Sequence, residues 1–172
     1  LLCVLFAFLY TTGPYPLSYN GWGDILVIVF FGFVPVGGTY YVQALTWTTD
    51  ITIASLICGL LIDTLLVVNN YRDREADARS GKRTVIVRFG EKFGSYLYLM
   101  LGVAASLLCF WFLFEGHLYA ALLPLLYLIP HFLTWKRMVR IHSGKKLNSI
   151  LGETSRNMLL MGVLLSIGFF LN

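Results

Sequence analysis

Asn69, Asp73 and Asp77 recur at positions i, i+4 and i+8, so a helix places their side chains in one row on one face. Two carboxylates so close repel each other unless a cation lies between them. Oxygen donors of this kind suit a hard divalent ion, and Mg2+ is held by one or two carboxylates plus the phosphate oxygens of its ligand. Arg72, Arg79, Lys82 and Arg83 stand beside the row. They bring positive charge to phosphate oxygens, and the arginines offer bidentate contacts. Gly81 is the expected helix stop, which leaves Lys82 on a mobile turn. The competing reading is a solvated charged helix with i, i+4 pairs such as Glu75–Arg79. Against it, Asn69 and Asn70 close an apolar run immediately before the row, and a Gly-Lys-Arg-Thr turn follows it.

The elements that position this row belong to a membrane protein. Of 172 residues, 58% are hydrophobic and only 13% charged, about half the charge of an ordinary soluble domain. The apolar residues come in blocks rather than stripes, as lipid-embedded helices require. Residues 25–49, 51–71, 93–114 and 116–135 read as spans, with a shorter one from 157 to the C-terminus. Residues 1–10 read as the tail of another, so an upstream part is expected to precede Leu1. These runs do not alternate, so they are helices. The fold class is therefore an all-α, polytopic transmembrane bundle forming a single domain over residues 1–172.

Charge sets the topology. Seven Lys and Arg residues lie between the second and third full spans, and the other six, of 13, lie between the fourth and fifth. The positive-inside rule puts both connections in the cytoplasm. Residues 11–23, 70–92 and 136–156 are then cytoplasmic, and the turns near 46–50 and 115–117 are outside. Cys3, Cys58 and Cys109 show no paired spacing and read as buried small hydrophobes. His117, His131 and His142 show no metal-ligand spacing.

The segment NNYRDREADARSGKRTVIVRFG resembles the second aspartate-rich motif of the UbiA superfamily of intramembrane aromatic prenyltransferases. Its paired asparagines, RDxxxD and GKRTxxVRxG look most like the 1,4-dihydroxy-2-naphthoate polyprenyltransferase branch of menaquinone biosynthesis. GPYPLSYNGWGD, with FFG and GTYYVQ in the following span, is similar to the preceding connection and span of that branch. The resemblance implies a bundle of nine helices, of which this chain matches about five and a half, from the end of the fourth onwards. The superfamily's first aspartate-rich motif has no counterpart in these residues, and the resemblance implies that the piece alone is inactive.

By the same resemblance, a polyprenyl group passes from polyprenyl diphosphate to 1,4-dihydroxy-2-naphthoate with decarboxylation, giving demethylmenaquinone, in the lipid bilayer of the inner (plasma) membrane. Asp73, Asp77 and Asn69 would hold Mg2+, with the two aspartates as the catalytic pair. Arg72, Lys82 and Arg83 would bind diphosphate. Tyr15 and Tyr19, with Ser18, Asn20 and Asn70, would help bind the acceptor. Asp63 lies inside a span, where an unpaired charge costs about 3 kcal/mol or more, and is a further acceptor-site candidate facing the bundle interior. Glu153 and Arg156 read as capping and anchoring residues. Other acceptors (4-hydroxybenzoate, homogentisate, chlorophyllide, haem) remain open, as does a membrane transporter, which only Asp63 favours. Nothing points to nucleic acid.

Overall fold

A computed structural model describes residues 2–171 as helices joined by short connections, with no strand among them. Leu1 and Asn172, the outermost residues of the first and last expected spans, lie outside the described residues. We label the helices α1 (Leu2–Thr11), α2 (Gly23–Ala44), α3 (Thr49–Arg79), α4 (Val85–Phe114), α5 (Leu118–Ile141) and α6 (Asn148–Phe170). Four of them, α2 to α5, are long and apolar enough to cross a membrane. The chain is a multi-pass helical membrane protein.

Every helix after α2 reaches further into the polar segments than its apolar run. α3 continues past residue 71 to Arg79, and α5 past 135 to Ile141. α4 begins at Val85, not 93, with the Thr84 side chain accepting from the Val87 amide at 3.3 Å. Gly90, at φ 86° and ψ 171°, then kinks α4 before its apolar part. Charge marks where hydrocarbon ends, but a helix supplies its own backbone hydrogen bonds on either side of that boundary.

α2 is irregular. Residues Ile28–Gly37 widen into a π-helix around Pro35, whose ring and missing N–H forbid a regular α-helical ladder. Within this stretch Gly32 meets Gly59 of α3. A β-carbon on Gly59 would lie 2.9 Å from both the Cα and the carbonyl oxygen of Ile28, so only hydrogen fits. Such small-residue crossings let two membrane helices approach closely.

α6 is less apolar than α2 to α5 because polar residues crowd its first half, yet it crosses the bundle from end to end. Asn148 bonds Arg72 at one end. Thr154 bonds Tyr98 and Asn157 bonds Thr134 at mid-depth. Phe169 packs edge-on against Phe112 and His117 at the far end. The core has two layers along this path. One gathers Val67, Tyr71, Tyr98, Met138 and Ile150, and the other Ile57, Ala105, Phe112, Tyr127 and Met161.

The contacts between connections agree with the expected topology. The Arg83 amide donates to the Tyr19 carbonyl at 2.7 Å, and Arg88 donates to the Asn20 carbonyl. Arg74 reaches the His142 carbonyl and Glu91. The three connections holding these residues therefore meet at one end. At the other, the Trp111 indole donates to Asp50 at 2.8 Å.

Among the cysteines, only Cys109 is the buried hydrophobe expected of all three; Cys58 is half-buried and Cys3 exposed. Cys3 lies on α1, which leaves most of its own surface uncovered.

Candidate functional site

α3 carries the row of oxygen donors out of the membrane. Asn69, Asp73 and Asp77 sit on its last turns, all half-buried. The Arg72 guanidinium lies among them. Its Nε donates to Asp73 Oδ1 at 2.7 Å, and one terminal nitrogen donates to Asp73 Oδ2 at 2.5 Å and to Asn69 Oδ1 at 2.6 Å. The other terminal nitrogen reaches Asn148 Oδ1, at the start of α6, at 3.0 Å. On the polar extension of α3, beyond its apolar part, the Arg72 hydrogen bond holds the Asp73 carboxyl below its ordinary range. The row of oxygen donors thus has a guanidinium lying across it.

Asp77 pairs with Lys82, Nζ to Oδ2, at 3.3 Å. The backbone makes this possible. Gly81 takes φ +78° after the C-cap Ser80. The Lys82 amide then donates to the Asp77 carbonyl at 2.9 Å and the Gly81 amide to that of Ala78 at 3.2 Å. These are the paired bonds of a Schellman motif, and they fold Lys82 back over Asp77. The expectation of a mobile turn at Lys82 is therefore corrected: the turn is fixed at its backbone and its side chain, and again by Arg83 on Tyr19. The Arg83 side chain is exposed, as are Glu75 and Arg79, which form no ion pair with each other among the described residues.

No group of three or more His, Cys, Asp or Glu side chains gathers into a metal site among the described residues. The donor set here is two carboxylates and the Asn69 amide oxygen, which agrees in type with Mg2+ but supplies only part of its shell. Arg72 already bonds Asn69 and both oxygens of Asp73, so a metal ion held here would take these oxygens from the guanidinium.

The remaining candidates divide. Asn70 is buried and lines a small polar notch with Tyr10, Ser18, Asp24, Lys82 and Thr84. Ser18 is buried too, but its hydroxyl is spent on the Tyr10 carbonyl at 2.6 Å. Asn20 bonds the Pro16 carbonyl. Tyr15 and Tyr19 are 58% and 42% exposed and stand outside the notch lining. Asp63 is buried between helices, as expected. Glu153 pairs with Arg137 of α5, an anchor between helices.

Sequence reasoning passed over Asn148, Asp24 and Tyr10. Asn148 lies 76 residues from Arg72, and nothing local marks it. Asp24 did carry a signal, an acid opening an otherwise uncharged span.

The family model described as UbiA prenyltransferase matches residues 1–170. The 1,4-dihydroxy-2-naphthoate octaprenyltransferase of Haemophilus influenzae is 35% identical over 185 residues, covering 99% of this chain and 56% of that protein. A protein of the same name from Mycobacterium leprae is 41% identical over 106 residues, covering 62% of this chain and 36% of that protein. The UbiA prenyltransferase domain-containing protein 1 of Dictyostelium discoideum is 30% identical over 163 residues, covering 95% of this chain and 48% of that protein. The chain spans about half the length of the curated relatives it matches. No solved structure matches it.

Proposed function

The chain belongs to the UbiA prenyltransferase family, and on that premise we propose that it carries half of a diphosphate-gripping site in a Mg2+-dependent polyprenyltransferase. The donor is a polyprenyl diphosphate and the acceptor 1,4-dihydroxy-2-naphthoate, which loses its carboxyl group to give demethylmenaquinone. The observation that carries the reading is the row of Asn69, Asp73 and Asp77 at the polar end of a spanning helix, flanked by Arg72 and Lys82. The names of the relatives, at 33–41% identity, support the naphthoate acceptor over other aromatic ones. The transporter alternative drew only on Asp63, and family membership leaves it without support.

Asp73, Asp77 and Asn69 would hold the metal. Bound there, Mg2+ neutralises charge that grows on the departing diphosphate. Arg72, Lys82 and Arg83 take diphosphate oxygens, Arg72 and Lys82 exchanging their present carboxylate partners for phosphate. An allylic cation formed there has to be kept from water by the apolar, lipid-embedded part of the bundle. The placement serves a two-part substrate, whose charged head needs the aqueous face and whose hydrocarbon needs lipid. The family's first aspartate-rich motif has no counterpart in these 172 residues, so this stretch alone is expected to transfer nothing.

The test is transfer of a labelled prenyl group to 1,4-dihydroxy-2-naphthoate in membranes, with the chain placed in a protein that also carries the first motif. Turnover should require Mg2+ and fall by at least about a hundredfold in Asp73→Asn and in Asp77→Asn, the loss of one preorganised charge contact. Unchanged turnover in both variants would falsify the assignment.

A further inference from the structure

Arg72 is held from two sides. One edge of its guanidinium, Nε with a terminal nitrogen, grips both oxygens of Asp73, and that nitrogen also meets Asn69. The other terminal nitrogen donates to Asn148 Oδ1 at 3.0 Å. A guanidinium accepts no hydrogen bond, so the amide oxygen, not the NH2 group, must face it. If Asp73 and Asn69 pass to a divalent ion, as the reading above requires, the first edge loses both partners and the Asn148 bond remains.

The fold equips Asn148 for that task. Its side chain is exposed, but its backbone is anchored at the start of α6. Leu147 before it and Ile150 after it are fully buried, in the core layer that also contains Val67 and Tyr71 of α3. Further along, α6 is tied by Thr154 to Tyr98 and by Asn157 to Thr134. The connection leading into α6 grips α3 a second time: the His142 carbonyl accepts from Arg74 at 3.0 Å, and Arg74 also donates to Glu91 at 2.9 Å. The arginines on either side of Asp73 are therefore both held by the stretch from His142 to Asn148. A polar group on a rigid element can aim the side chain it bonds.

Asn148 is also neutral. A carboxylate in its place would cancel the charge of Arg72, whereas an amide oxygen fixes its direction and leaves the charge for an anion. The only acid in residues 136–156 is Glu153, which pairs with Arg137.

We propose that Asn148 is a positioning residue. It keeps Arg72 at the site once Asp73 and Asn69 are given over to metal, so that the freed edge meets two oxygens of the diphosphate. The proposal rests on the transferase reading above and adds the residue that aims the guanidinium, whose fork matches phosphate only in the right orientation.

The experiment is calorimetric titration of inorganic pyrophosphate at saturating Mg2+, in nanodiscs, with the chain placed in a protein that also carries the first motif. Asn148→Ala should weaken pyrophosphate by about tenfold, the scale of one hydrogen bond to a charged group, and Arg72→Ala by at least as much. In the Arg72→Ala background, Asn148→Ala should have no further effect, because residues that act through one contact are not additive. Ser149→Ala, at an exposed neighbour that bonds only the Lys146 carbonyl, should match the wild type. Damage to α6 itself would appear in both backgrounds, so equal losses in the two would overturn the proposal. So would wild-type affinity in Asn148→Ala or in Arg72→Ala. These outcomes leave the transferase reading standing, whereas a wild type that binds no pyrophosphate with Mg2+ removes that reading and this inference together.

Discussion

Lys82 reaches Asp77 because Gly81 turns the chain back on itself. At φ +78° a β-carbon is strained whatever space surrounds it. Gly81→Ala should therefore cost about 1 kcal/mol, read as a lower thermal midpoint in detergent, and should loosen Lys82 from Asp77. Thr84→Ala should cost a similar ~1 kcal/mol through loss of the α4 cap; a midpoint unmoved in either variant would show that these turns do not hold the site. The donor row itself was legible, because i, i+4 spacing and the end of an apolar run are both local signals. The pairing of each acid was not. Arg72 spans Asn69, Asp73 and Asn148, and the last partner depends on how α6 docks. The Asp63 oxygen that lacks a hydrogen-bond partner among the described residues is likewise a product of how helices pack, though an acid within a span announced that something was needed there.

At the scale of elements, the crossing of α2 and α3 sets where Asp24 and Asn70 share the polar notch. A β-carbon on Gly59 would press on backbone atoms of Ile28, which cannot yield as a flexible side chain would. Gly59→Leu should destabilise the bundle by about 2 kcal/mol, in the range of overpacked cores. Gly162→Leu, where a β-carbon meets nothing within 4 Å, should leave the thermal midpoint where it is. Equal midpoints for the two variants would contradict the close crossing. Hydropathy disclosed the existence and order of the spans, since lipid demands long apolar runs. It did not disclose their ends, because α3, α4 and α5 keep winding through charged residues where water rather than lipid surrounds them. Nor did it disclose the wide turns around Pro35, which answer to a backbone constraint that hydropathy does not register.

For the molecule as a whole, the distribution of 13 basic residues foretold which connections share a side, and the backbone bond from Arg83 to Tyr19 joins two of them directly. With Cys3, Cys58 and Cys109 replaced, cysteines at the exposed positions Tyr19 and Arg83 should label with a membrane-impermeant maleimide only from the cytoplasmic side, and one at Glu115 only from outside. Labelling of all three from one side would refute the topology. The proposed function requires the polar end of α3 to bind a divalent ion together with a prenyl diphosphate. Electron paramagnetic resonance of Mn2+ titrated into the protein in nanodiscs with geranylgeranyl diphosphate tests it without turnover. Affinity should fall by at least about tenfold in the Asp73→Asn, Asp77→Asn double variant, as it does when even outlying support of a metal is lost, and should hold in Glu75→Gln. Mn2+ bound equally by the double variant and the wild type would contradict it.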